Sequence, residues 1–70
     1  MYNQEIVNIL KEKFGERDVI IFCQIEAIKN SMIAKDMKEK GVSEYQSIDF
    51  EYDAQWWERK YQELKQNLIG

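Results

Sequence analysis

From Asp18 to Gly41 the chain reads DVIIFCQIEAIKNSMIAKDMKEKG, its longest uninterrupted pattern and the stretch most able to be enclosed on more than one side. At about 100° per residue, Ile21, Ile25, Ile28 and Met32 fall within one narrow sector. Val19, Phe22, Cys23, Ile33, Ala34 and Met37 fall in a second, beyond Lys29 and Asp36. The spacing predicts a helix near 18–40 with two apolar stripes. A helix with one neighbour needs one stripe, so two stripes call for two neighbours, either two other helices of this chain or one helix and another molecule. Ile25, central in the first stripe, is expected in the core. Asp18 suits the N-cap, and Gly41, after Lys38 and Lys40, suits the left-handed residue that closes a helix. A competing reading makes Val19–Ile25 a strand, because VIIF is β-branched and aromatic. No turn signal follows it, however, and no second strand of like character offers a pair.

Residues 3–14 predict a first helix. Asn3 is its cap, Ile6, Val7, Ile9, Leu10 and Phe14 form its inner face, and Gly15 ends it. The short linker Gly15–Glu16–Arg17 folds this helix back antiparallel onto the central one. After Gly41 the period changes. In SIDFEYD, Ile48, Phe50 and Tyr52 alternate with Asp49, Glu51 and Asp53, which predicts an extended arm at 44–52 with apolar groups on one side and carboxylates on the other. Asp53 then caps a third helix near 54–68, with Trp57, Tyr61, Leu64 and Leu68 along one face. Gly70 ends it. The fold class read from these patterns is all-α, a single three-helix domain over 1–70 with an extended arm.

Two stretches admit two readings each. The arm either lies over the helices and buries Ile48, Phe50 and Tyr52, or presents an edge that pairs with a strand of another chain. Trp56 is offset by about 100° from the Trp57 stripe. It either packs beneath the arm or anchors an interface, the role in which tryptophan dominates binding energy. Ile48, Phe50, Tyr52 and Trp56 are therefore the candidate partner-binding residues.

Size sharpens the question of a partner. A chain of 70 residues builds a core worth only about 3–5 kcal/mol net, and chains of this length often need a staple or an oligomer. One cysteine and no histidine exclude an intrachain disulfide and the usual zinc sets. Ten basic against 13 acidic residues leave a net charge of −3, without the positive footprint of a nucleic-acid or anionic-membrane binder. No apolar run reaches the length of a membrane span, and the start MYNQE is not that of a secretory leader. The expected location is cytoplasmic, or a virion.

Candidate chemistry is sparse. The three glycines sit at helix ends or the terminus and form no phosphate loop, and Asp49, Glu51 and Asp53 lack the glycine and spacing of a calcium loop. Cys23 lies in the most apolar part of the central helix, where a thiol is structural and unreactive. No enzyme activity, cofactor, metal or small-molecule substrate is expected. The stretch YDAQWWERKYQEL, Tyr52–Leu64, resembles the ends of small uncharacterised helical proteins of tailed bacteriophages of gut bacteria. The resemblance covers about a fifth of the chain, implies a virion accessory or a host-binding phage protein, and assigns no site residues. The function expected is a non-enzymatic interaction module, a subunit or accessory of a larger assembly, with a protein partner or a homo-oligomer. The alternative is a small acidic inhibitor of a nucleic-acid-handling host enzyme, acting through its clustered carboxylates.

Overall fold

The computed structural model describes residues 3–41 and 44–69. It is a three-helix domain of α1 (Asn3–Phe14), α2 (Glu16–Glu39) and α3 (Glu44–Ile69), with no strand among the described residues. The first two helices fall where the periodicity puts them, and helix runs unbroken through Val19–Ile25.

The arm is a correction. Residues 44–52 are not extended but form the first turns of α3. Ser47, Phe50, Ala54, Trp57, Tyr61, Leu64 and Leu68 follow one spacing of three and four from end to end, so the stripe assigned to 54–68 continues backward through the arm. Ser47, Trp57 and Leu64 of this series are buried. Within a helix the alternation of Ile48, Phe50 and Tyr52 has no face of its own, because residues two apart point to opposite sides.

Three caps differ as well. Asn3 lies inside α1, and its Nδ2 donates to Asp53 Oδ1 at 3.4 Å. Asp53 is therefore mid-helix and no cap. Asp18 sits in the first turn of α2, where a carboxylate complements the helix dipole, while Gly15 holds the N-cap position without a side-chain bond. Gly15 alone joins the two helices. Its N–H donates to Lys11 O at 3.0 Å and its carbonyl accepts from Val19 N at 3.3 Å, with φ 88° and ψ 169°, a region open essentially to glycine only. Gly41 closes α2 with φ 75°, as expected, and Gly70 lies outside the described residues.

α2 and α3 form an antiparallel hairpin. Lys38 near the end of α2 pairs with Glu51 near the start of α3, and Phe22 meets Trp57 further along. α1 packs against α2, as expected, and its side chains reach α3, Asn3 at Asp53 and Val7 in the cluster that holds Trp57. The buried cluster is Val7, Val19, Cys23, Ala27, Trp57 and Leu64. Cys23, Ala27 and Ala34 on the inner face of α2 are small, which lets α3 approach closely and gives Trp57 its room. Asn30, buried on the same face, donates from Nδ2 to Glu26 O at 2.8 Å, and this removes the cost of an unpaired amide.

Candidate interaction surface

Only one of the two stripes of α2 is covered. Val19, Cys23 and Ala34 of the second stripe are buried, with Ala27 and Asn30 beside them. Ile21, Ile25, Ile28 and Met32, the first stripe, lie about half a turn away and are 53–66% exposed. Ile25 is thus at the surface and not at the centre of the core. Four large aliphatic side chains in a row at spacings of four, three and four make a contiguous apolar strip, where scattered single exposures would mean nothing. This strip has the seam geometry of a helix that packs on another helix.

An open groove of about 550 Å³ runs along one flank of the strip. Ile28 and Met32, with Ala27 and Ser31, form its α2 wall, and Ala54, Gln55, Glu58 and Arg59 of α3 form the other. Its far side is therefore polar, with Glu58 Oε1 accepting from Gln62 Nε2 at 3.1 Å. An apolar centre with a polar rim is the usual anatomy of a protein interface.

At the two ends of the strip stand Asp18 and Lys35, both exposed. Neither makes an ion pair among the described residues, whereas Lys29 is tied to Glu26 at 2.8 Å, Lys40 to Asp36 at 2.9 Å, and Lys38 to Glu51.

The residues selected from sequence are dispersed. Phe50 is half-buried on the side of α3 that faces α2, Ile48 is half-buried on another side, and Tyr52 is exposed. Ile48 and Tyr52, four apart, share an outer face with exposed Tyr45. Trp56 is half-buried and packs on the core. Its ring meets Trp57 edge to face with centroids 4.9 Å apart, and Lys60 Nζ lies 5.3 Å over it. Of the carboxylates, Glu51 turns to Lys38, while Asp49 and Asp53, four apart, share another side on which Asp53 lies by Asn3. The strip on α2 is visible in the sequence as a stripe, but hydrophobicity alone does not tell which stripe faces inward; the small residues Cys23, Ala27 and Ala34 are the signal that does.

Cys23 is fully buried, and burial raises its thiol pKa above the ordinary value, against the smaller opposing pull of Lys60 and Lys11. Among the described residues no cluster of Cys, Asp and Glu could hold a metal ion, and no helix is long and apolar enough to cross a membrane. No family model matches the chain, and no curated protein or solved structure matches it either.

Proposed function

We propose that the chain is a non-enzymatic protein-interaction module, a small subunit or accessory of a larger assembly, that meets its partner through the outer face of α2. The observation that carries this reading is the strip Ile21, Ile25, Ile28 and Met32, four more-than-half-exposed side chains that are contiguous along one helix face, unlike exposed Ile9, Phe14 and Leu68, which lie on other helices. The resemblance of Tyr52–Leu64 to phage proteins adds a virion to the assemblies in question. The acidic-inhibitor alternative has less support, because in a helix Glu51 turns away from the face that Asp49 and Asp53, four apart, share.

The test compares proteins retained by the tagged chain with those retained by Ile25→Lys/Ile28→Lys, a variant altered only on the exposed strip. The reading expects a defined partner, including untagged copies of the chain, on the parent and its loss from the variant. Equal retention by both would contradict it. Loss on Asp49→Asn/Glu51→Gln instead, with affinity falling steeply in added salt, would promote the acidic inhibitor.

A further inference from the structure

We infer that the partner seated on the α2 strip is a second copy of this chain, with the two α2 helices antiparallel about a two-fold axis between Ile25 and Ile28. This rests on the reading of the strip as a docking surface and adds the occupant and its orientation. Asp18, Ile21, Ile25, Ile28, Met32 and Lys35 continue one spacing of three and four, so the seam has an acidic residue at one end and a basic one at the other. An antiparallel pairing sets Ile25 against Ile28, Ile21 against Met32, and Asp18 against Lys35 of the second copy, each contact made twice, as a two-fold interface requires. A parallel pairing would set Asp18 on Asp18 and Lys35 on Lys35. Like charges at both ends oppose that arrangement, and opposite charges at both ends favour the antiparallel one.

Two further observations fit this occupant. Asp18 and Lys35 at the ends of the strip make no ion pair among the described residues, while Lys29 beside it is engaged by Glu26, and unpaired Arg59 stands on the groove wall at its flank rather than on the seam. The strip also lies on the side of α2 away from the buried residues that meet α1 and α3, so a second α2 can approach without moving either helix.

Sedimentation equilibrium of the full chain, from micromolar to millimolar, tests the inference. The expected parent is a dimer of twice 8.5 kDa at the upper concentrations. Ile25→Lys should stay monomeric with an unchanged helical circular dichroism spectrum. Asp18→Lys and Lys35→Asp should each weaken association at least about tenfold, and Asp18→Lys/Lys35→Asp should restore it, because the pair is re-formed with its signs exchanged. A parent monomeric throughout would overturn the second copy as occupant while leaving the strip open to a different protein, which the capture comparison above decides. A dimer indifferent to Ile25→Lys would overturn both readings. A dimer lost in Ile25→Lys but no tighter in the double swap than in the single ones would overturn the antiparallel register.

Discussion

Phe22 and Trp57 meet edge to face, with ring centroids 5.5 Å apart and planes at 82°. This pair ties the first half of α2 to the middle of α3, and it fixes which side of α2 is enclosed. Trp57 is 2% exposed and needs small neighbours, which Cys23 and Ala27 supply. Ile21, Ile25 and Ile28 on the opposite side of α2 are therefore turned outward.

Stability should follow that division. Trp57→Ala removes the largest group in the core and should cost about 3–5 kcal/mol. Measured by urea unfolding at low micromolar concentration, this leaves little folded protein. Ile25→Ala at the same concentration should stay within about 0.5 kcal/mol of the parent, as exposed positions do. A large loss for Ile25→Ala and a small one for Trp57→Ala would reverse the assignment of the two faces.

The helical state of 44–53 is tested by proline. Asp49 is exposed, so Asp49→Ala should be nearly neutral, whereas Asp49→Pro inside α3 should cost about 3 kcal/mol or more and lower the far-ultraviolet helical signal. An extended arm would tolerate proline far better.

Much of the fold was legible in the sequence. The 3.6-residue period located α1 and α2, and the glycines at 15 and 41 located their ends. Residues 44–52 read as an extended arm because three alternating apolar residues, Ile48, Phe50 and Tyr52, are too few to separate a strand from a helix. The longer series from Ser47 to Leu68 carried the stronger signal. The surface was half legible: both stripes of α2 were visible, but hydrophobicity alone favours the bulkier one as core. What decides is volume, since close approach of α3 selects the face built from Cys23, Ala27 and Ala34.

The connection at Gly15 should resist substitution. A Cβ there meets nothing within 4 Å, so the cost of Gly15→Ala is that of the backbone angles alone, about 1–3 kcal/mol, read as a lower denaturation midpoint. No change would mean that the α1–α2 junction has other angles.

The thiol of Cys23 should react slowly with iodoacetamide in the folded protein and quickly after unfolding. Its folded pKa is raised by burial, so the native state keeps the proton over a range in which the unfolded chain has lost it. The associated stability is present below the ordinary thiol pKa and is lost as pH rises through the raised folded value. The stability difference between the parent and Cys23→Ala should shrink across that alkaline window and stay level below it. A difference that grows with pH would contradict the burial assignment.

The claim that the outer face of α2 joins this chain to another copy is tested most directly by the thermal midpoint at increasing protein concentration, for the parent and Ile25→Lys in parallel. Association couples folding to concentration, so the parent midpoint should rise with each dilution step removed, while that of the variant stays constant. Parent and variant midpoints that are both flat, or that rise together, would contradict it.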